Sequence, residues 1–208
     1  MKTANYLNIK MKILLILLSL LLIAFVIIQV FAIKGQQNIE TYAYKVNKKY
    51  NTFEIRSYEA TLFTSVTLST KGYKNSSSKG FSILAGYIFG KNDLSKNIAM
   101  TAPVQISQNK DNPVMAFSMP SKYDIDELPK PYDESVEIIL NPEMRVAVMS
   151  FSGLSGKRKV TKLINKFKKL INSKGIDSGG EVTLALYDNP GTTLPFKRRN
   201  ELWFDLKN

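Results

Sequence analysis

One arrangement of apolar residues occurs twice in this chain, and that repeat limits the fold more than any single motif does. Each copy reads as two adjoining strands, a helix and two further strands. The segments of the first copy are residues 53–69, 76–90, 99–107 and 113–120. Those of the second copy are residues 136–153, 156–175, 181–189 and 201–207. The repeat predicts one α+β domain built from two related halves.

A unit of four strands and one helix buries little apolar surface by itself. We therefore expect the two copies to join their sheets and to place both helices on the outside. The join, residues 121–135, is rich in proline and acidic residues, which is typical of a surface loop. The expected domain covers residues 42–208 and has eight strands and two flanking helices, with residues 34–41 as a linker before it.

The N-terminal region contains a long apolar segment. Residues 13–33 carry no charged side chain, and a helix of this length spans roughly 30 Å of hydrocarbon. The segment is either an uncleaved anchor or a secretory signal that is cleaved after Ala32, and its length favours the anchor. The basic segment 1–12 predicts a single-pass protein whose C-terminal domain lies outside the cytoplasm. Cleavage would instead give a secreted or periplasmic domain.

The composition excludes several kinds of catalysis. The 208 residues include no cysteine and no histidine, so thiol catalysis and a Ser-His-Asp triad are both impossible. Ser76 and Lys79 fit the bare S-x-x-K pattern of some serine enzymes, but the S-D-N and K-T-G motifs that accompany it are absent. The composition therefore argues against an enzyme and against a metal site.

Positive charge is concentrated in the C-terminal third of the chain. Residues 144–208 hold 13 of the 29 basic residues but only five of the 17 acidic ones. Most of these basic residues lie in the helix predicted over 157–174, whose apolar residues recur at helical spacing. We interpret the helix as a core-packing stripe with a solvated lysine face. The alternative is contact with anionic lipid or an acidic partner; nothing indicates nucleic-acid binding.

Three motifs, in order along the chain, resemble those of one protein family. The first is the strand entry "MTAPV", residues 100–104, and the second is "FSMPSKY", residues 117–123. The third combines "YDNP", residues 187–190, with "RRNELW", residues 198–203. Over about residues 42–207 the chain resembles the SOUL haem-binding protein family.

The resemblance implies a distorted eight-stranded β-barrel with two helices and a pseudo-twofold axis, in agreement with the repeat. It also implies a shallow apolar groove beside the first helix of the domain, where members bind haem and other tetrapyrroles. Some members coordinate haem through a histidine, which this chain lacks. The resemblance therefore implies a ligand that is held by apolar contact.

Helical spacing and the resemblance together give a set of candidate ligand contacts. They are Phe81, Leu84, Ala85, Tyr87, Ile88, Tyr187, Lys197, Arg198 and Arg199. The first five belong to the first helix, and Tyr187 is the implied partner across the groove. The three basic residues are candidate donors to propionate carboxylates. The alternatives are that the helix residues pack on the sheet and that the basic residues form a structural ion-pair turn.

These features predict a membrane-tethered protein that holds haem, another porphyrin or a similar amphipathic planar ligand without catalysis. The alternative is a scaffold at the membrane surface with a closed groove and the lysine-rich helix as its contact surface. The resemblance implies that Tyr187 is the best placed iron ligand, but an ordinary phenol ionises only near pH ~10. We therefore expect weak or no axial ligation of the iron.

The central segment 96–104, "KNIAMTAPV", contains no catalytic group. Pro103 is expected at an edge or bulge of a strand, because it donates no backbone hydrogen bond. Thr101 can satisfy neighbouring backbone, and Met100 can fill an irregular gap. We interpret this segment as framework.

Overall fold

The computed structural model describes residues 2–36, 39–69, 73–108, 111 and 113–207. These form two compact units: Met1–Asn38 with Gly191–Thr193, and Ile39–Pro190 with Leu194–Asn208. The larger unit contains the sheet and the two helices of the predicted domain.

The first unit is dominated by one long helix, α1 (Lys2–Gln36). Within it, Lys10–Ile28 is long and apolar enough to cross a membrane, and none of this stretch is buried inside the protein. A secretory signal near an N-terminus meets the same criteria. Both alternatives for residues 13–33 therefore stay predictions.

Nine strands of the larger unit form one antiparallel sheet. They are β2 (Tyr44–Lys49), β3 (Glu54–Tyr58), β4 (Thr61–Thr67), β6 (Val104–Ser107), β7 (Val114–Ser118), β8 (Glu137–Asn141), β9 (Met144–Ser152), β10 (Ser178–Leu186) and β11 (Arg199–Leu206). A separate parallel pair consists of β1 (Glu40–Thr41) and β5 (Thr101–Ala102). The helices are α2 (Tyr73–Ile88) and α3 (Lys157–Ser173), with short 3-10 turns at Ile125–Glu127 and Pro195–Lys197. The predicted linker therefore ends in β1, and its residues 37 and 38 lie outside the described residues.

The order of strands across the sheet is β2-β3-β9-β11-β10-β6-β7-β4-β8. Apart from β2, this order is symmetric about the β10–β6 pair when each strand is matched to its counterpart in the other copy. The matched pairs are β3 and β8, β4 and β9, β6 and β10, and β7 and β11. The sheet thus has the symmetry expected of two joined copies.

The prediction of an eight-stranded barrel needs correction. The sheet has nine strands and curls into an open half-barrel, and in the described part of the chain β2 and β8 are its two edges. The strand absent from the prediction is β2, "YKVNKK", in which five of six residues are exposed. Its apolar residues are only Tyr44 and Val46, too few for an alternating pattern to reveal the strand.

The two faces of the sheet carry separate apolar clusters, because successive side chains of a strand point to opposite faces. On β11, Leu202 and Phe204 lie in the cluster beneath α2 and α3, whereas Trp203 lies in a smaller cluster on the other side. We call these sides the helix face and the far face. The buried residues of the far-face cluster are Tyr42, Tyr58, Phe63, Val146, Val148, Ala185 and Trp203.

Helix α3 confirms the predicted amphipathic pattern. Val160, Phe167 and Ile171 are buried in the core, and the Phe167 ring lies 5.6 Å from that of Phe53 and 5.1 Å from that of Phe204. The basic residues of the helix and its end are exposed: Lys157, Arg158, Lys159, Lys162, Lys166, Lys168, Lys169 and Lys174. The helix therefore buries one stripe and leaves its positive charge in solvent.

Two residues of the segment 96–104 make the contacts predicted for framework. Thr101 Oγ1 donates to the Ser118 carbonyl at 2.5 Å, and Met100 packs half-buried against the helix-face cluster. Pro103 is buried between β5 and β6. Because proline has no N–H to donate, it separates the pairing of β5 with β1 from the pairing of β6 with its neighbours.

Candidate functional site

The structure divides the five candidate residues of α2 between core and surface. Leu84, Tyr87 and Ile88 are buried against the sheet, whereas Phe81 is 39% exposed and Ala85 is half-buried. Residues three and four apart lie on one face of a helix, so the buried three form its core stripe. These three residues therefore pack on the sheet, which was the alternative to ligand contact.

Tyr87 is fixed at the base of this region. Its hydroxyl donates to the Pro129 carbonyl at 2.9 Å, and its own carbonyl accepts from Asn92 Nδ2 at 2.9 Å. Burial raises the pKa of Tyr87 to about 12. Tyr87 is therefore a neutral, immobilised side chain near neutral pH.

A cleft of about 730 Å³ lies alongside α2, and we call it the α2 cleft. Its lining comes from the helix, from the turn after it and from the loop that joins the two copies. The lining residues are Lys79, Ser82, Ile83, Tyr87, Lys91, Pro131, Tyr132, Asp133 and Glu134. Its volume falls within the range of roughly 300–1,000 Å³ that is usual for small-molecule sites.

The outer wall of the α2 cleft is tied to the turn after α2 by hydrogen bonds. Asn92 and Pro131 form an isolated antiparallel bridge. The Asp93 N–H donates to the Lys130 carbonyl at 3.0 Å, and the Lys130 N–H donates to Asp93 Oδ1 at 2.8 Å. These bonds hold the loop beside the turn at one end of the cleft.

The α2 cleft combines apolar and ionic groups. Ile83 is half-buried and the Tyr132 ring is 67% exposed, while Lys79 and Lys91 bring two positive charges. Asp133 accepts from the Ser135 hydroxyl at 2.5 Å and from its N–H at 3.0 Å, and these bonds lower the pKa of Asp133. The cleft therefore suits a ligand with an apolar body and charged edges.

Tyr187 lies on the far face of the sheet, where it packs against the far-face cluster. Its hydroxyl donates to Glu201 Oε2 at 2.8 Å, and the Arg199 guanidinium lies 3.8 Å from its ring centroid. Burial, together with the charge of Glu201, raises the pKa of Tyr187 far above its ordinary value. The structure does not bring Tyr187 together with the α2 residues.

Glu201 is the centre of a buried ion network on the far face. Arg56 Nη1 lies 3.1 Å from its Oε2, Arg199 Nη2 lies 3.0 Å from its Oε1, and Trp203 Nε1 donates at 2.9 Å. Burial alone would raise the pKa of Glu201, but the Trp203 hydrogen bond and the Arg56 charge outweigh burial and hold that pKa below its usual value. The network joins β3 to β11 across β9.

The three basic candidates near the C-terminus have different surroundings. Arg199 is engaged by Glu201, so it takes part in an ion pair within the domain. Arg198 Nη2 donates to the Pro190 carbonyl at 2.7 Å, and Lys197 lies exposed at the end of its 3-10 turn. A carboxylate-binding role for these residues stays a prediction.

Two other clefts lie away from the candidate residues. One, of about 730 Å³, lies beside β1 and the loop 119–126 and includes Glu40, Glu59 and Leu140. The other, of about 640 Å³, lies at the first turn of α3 and includes Leu154 and Lys157. In the described ranges, no three acidic residues lie close enough together to hold a metal ion.

A family model described as SOUL heme-binding protein matches residues 39–205. The chain belongs to the SOUL haem-binding protein family. A curated relative, Heme-binding protein 1 of Xenopus laevis, is 32% identical over 167 residues, which cover 75% of this chain and 84% of the relative. Heme-binding protein 2 of Homo sapiens is 28% identical over 167 residues, which cover 76% of this chain and 79% of that protein.

Solved structures share the fold of this SOUL domain at low identity. The C-terminal domain of EcmrR matches with a TM-score of 0.55 and 8% identity, covering 79% of this chain and 98% of that one. An uncharacterized conserved protein from Listeria innocua matches with a TM-score of 0.54 and 12% identity, covering 75% and 92%. At such identities the likeness concerns the fold alone.

Apart from Tyr87, none of the residues that line the α2 cleft of the SOUL domain was among the candidate contacts. Lys79 and Ile83 lie one helical turn apart on the side of α2 next to its buried stripe, so a helical projection could have identified them. Tyr132 and Asp133 lie in the loop between the copies, more than 40 residues from α2 in sequence. The Asn92–Pro131 bridge brings that loop to the helix, together with the hydrogen bonds that join Tyr87 to Pro129 and Asp93 to Lys130.

Proposed function

We propose that this SOUL-family chain binds haem, another tetrapyrrole or a similar planar amphipathic ligand reversibly in the α2 cleft, without catalysis. The observation that carries the proposal is a cleft of about 730 Å³ whose lining combines apolar side chains with two lysines and two acidic residues. Relatives that are named heme-binding proteins support this class of ligand.

In this proposal the ring system is held by apolar contact and its carboxylates by charge. Ile83 and Tyr132 cover the ring, and burial of apolar surface contributes roughly 25 cal/mol per Å². Lys79 and Lys91 pair with the carboxylates. Of the earlier candidates, Tyr87 lines the cleft and the buried Leu84 and Ile88 support it from the core, whereas Phe81 and Ala85 lie outside its lining.

Iron coordination contributes little in this proposal. The chain has no histidine or cysteine. The Tyr87 hydroxyl donates to a carbonyl and has a pKa of about 12, and Tyr187 is engaged by Glu201 on the far face. Neither phenol is ready to supply a phenolate. Haem and metal-free porphyrin are therefore expected to bind with similar affinity.

The test is a titration of the full-length chain, in neutral phosphatidylcholine nanodiscs, with haem and with metal-free protoporphyrin. Empty nanodiscs correct for ligand that partitions into lipid. We expect saturable binding of both, with dissociation constants within about threefold, a difference below about 1 kcal/mol. Strong preference for haem would contradict binding without coordination.

Charge reversal locates the site. The double variant Lys79→Glu/Lys91→Glu should weaken binding of both ligands, whereas Lys122→Glu, an exposed lysine outside the α2 cleft, should not. Unchanged binding in the double variant would place the ligand elsewhere.

We further propose that α1 anchors the domain in a membrane, because Lys10–Ile28 is apolar throughout and unburied. The test is alkaline carbonate extraction of membranes from expressing cells, combined with the intact mass of the protein. We expect the complete chain to stay in the membrane pellet. A soluble product that begins after Ala32 would show a cleaved signal instead.

One observation favours a second function for the same domain, contact of α3 with anionic lipid. In the described part of the chain, no acidic side chain lies within 4.0 Å of a basic group of α3. The first turn of the helix contains no acidic residue either. Each such lysine contributes about 1 kcal/mol of attraction near an anionic bilayer.

Tryptic cleavage tests this second function. The full-length chain is digested in neutral and in phosphatidylglycerol-containing nanodiscs, and cleavage within residues 157–174 is compared with cleavage at Lys48 and Lys49. We expect anionic lipid to protect only the helix, and the variant Lys166→Glu/Lys168→Glu/Lys169→Glu to lose that protection. Equal cleavage of the helix in both lipids would exclude the contact.

A further inference from the structure

The two edges of the nine-stranded sheet differ in chemistry. The edge strand β2 carries three exposed lysines, Lys45, Lys48 and Lys49, and lysine on an edge opposes pairing with another chain. The opposite edge, β8, has only one charged residue, Glu137, at its start. Its centre exposes Ile139 (43%) and Leu140 (62%). One edge is therefore protected and the other is apolar.

The internal symmetry of the sheet shows what β8 lacks. In the first copy, β3 pairs with β9 on one side and with β2 on the other. Its counterpart in the second copy is β8, which pairs with β4 and has no second neighbour in the part of the chain that the structure describes. A strand with one partner directs alternate N–H and C=O groups outward. The position that β2 fills in one half is open in the other.

We propose that β8 pairs antiparallel with β8 of a second copy of this chain, which gives a twofold-symmetric dimer with one continuous sheet. The proposal concerns a different surface from the α2 cleft and does not rest on tetrapyrrole binding. Isologous twofold contacts are the commonest way in which identical chains associate.

The sequence of β8, "EIILN", is complementary to itself in this arrangement. With Ile139 on the symmetry axis, Ile138 lies opposite Leu140 of the partner subunit, and Glu137 lies opposite Asn141 of the partner subunit. Apolar residues therefore meet in the centre, and the acidic residue meets an amide instead of a second acid. Opposed pairs of this kind stabilise a ladder, whereas like charges directly opposite destabilise it.

Pairing of β8 with β2 of a second copy fits less well. It would set exposed lysines of β2 against Ile139 and Leu140, and such a head-to-tail contact leaves a free edge at each end that recruits further copies. The symmetric contact uses each apolar edge once and leaves the lysine edges outside. It also adds a wall to the cleft beside β1, because Leu140 lines that cleft.

Single-cysteine cross-linking tests the proposal directly, because the chain contains no native cysteine. Residues directly opposite in an antiparallel pair have Cα atoms about 4.5–5.5 Å apart, within the range that a disulfide bridges. The full-length Ile139→Cys chain in membranes is oxidised, and covalent dimer is measured on a non-reducing gel. The matched control is Ile125→Cys, which replaces another exposed isoleucine.

We expect at least about tenfold more covalent dimer from Ile139→Cys than from Ile125→Cys. Adding Leu140→Lys to the Ile139→Cys chain should return cross-linking to the control level, because lysine at the edge opposes pairing. Circular dichroism of each variant verifies that the sheet is intact.

Cross-linking of Ile139→Cys at the control level would overturn the proposal. So would cross-linking that persists with Leu140→Lys. Preferential formation of a mixed dimer between Ile139→Cys and Lys48→Cys chains would show the head-to-tail contact in its place.

Discussion

Helices α2 and α3 hold the same position in the two copies of the repeat, yet they differ in almost every chemical respect. α3 sets Phe167 and two aliphatic residues into the core and presents eight basic residues of the helix and its end to solvent. α2 buries Leu84, Tyr87 and Ile88, leaves Phe81 partly exposed, and borders a cleft with Lys79 and Ile83. The duplication thus conserved the position of a helix against the sheet, while its outer surface diverged.

The two helices also approach the sheet by different means. α2 comes close through Gly80, where an added Cβ would lie 2.3 Å from Leu68 Cδ2. α3 instead fills its contact with the Phe167 ring between Phe53 and Phe204. α2 thus packs by close approach of its backbone, and α3 packs by a large buried side chain. Mutations at the two contacts should therefore differ in their effect on stability.

The largest expected effect is on α3. Phe167→Ala removes a fully buried ring and should lower the free energy of unfolding by about 3–5 kcal/mol. Phe81→Ala on α2 should cost less than about 1 kcal/mol, because much of that side chain is already in solvent. Urea unfolding of both variants in the same detergent measures the difference. Equal losses would show that α2 relies on Phe81 as α3 relies on Phe167.

The next effect concerns the close approach of α2. Gly80→Ala should cost about 1–3 kcal/mol, because Leu68 is buried and can move only by disturbing the core around it. Gly156→Ala, at the start of α3, meets no atom within 4 Å and should cost less than about 1 kcal/mol. The urea midpoints of the two variants test this contrast, and a stable Gly80→Ala protein would contradict the tight packing of α2.

Much of the fold follows from apolar periodicity, and the exception has a physical cause. Strands β4 and β9 each bury several consecutive residues, so their sequences contain recognisable apolar runs. The edge strand β2 leaves five of its six residues exposed, so it carries no such apolar run. The amphipathic pattern of α3 could be recognised from the sequence, because basic residues mark its polar face clearly.

The site was less predictable, because sequence does not state which face of a sheet the helices cover. Leu184 and Leu186 alternate with Ala185 and Tyr187 along the end of β10, so the alternation separates these two pairs. It does not reveal that the helices lie over the leucines. The family resemblance implies that Tyr187 faces α2 across a groove, whereas the structure places it with Glu201 on the far face.

A third prediction concerns ligand binding, which we assign to α2 and not to α3. Lys79→Glu/Lys91→Glu should weaken porphyrin binding by about fivefold, close to 1 kcal/mol, as expected for two exposed ion pairs. The triple variant Lys166→Glu/Lys168→Glu/Lys169→Glu on α3 changes more charge but should leave porphyrin affinity within about twofold. Titration at two salt concentrations checks that the contacts are ionic. A stronger effect from the α3 variant would move the ligand to the second helix.

The smallest expected effect is on the far face, at Tyr187→Phe. The variant removes one donor to Glu201, which keeps its bonds from Arg56, Arg199 and Trp203, so stability should fall by only about 1 kcal/mol. The absorbance spectrum of bound ferric haem should not change, because a phenol whose pKa is raised by burial and by Glu201 supplies no phenolate to the iron. The affinity for metal-free porphyrin should also stay within about twofold. A large spectral change with loss of haem affinity alone would make Tyr187 an iron ligand, and it would place the ligand on the face that neither helix covers.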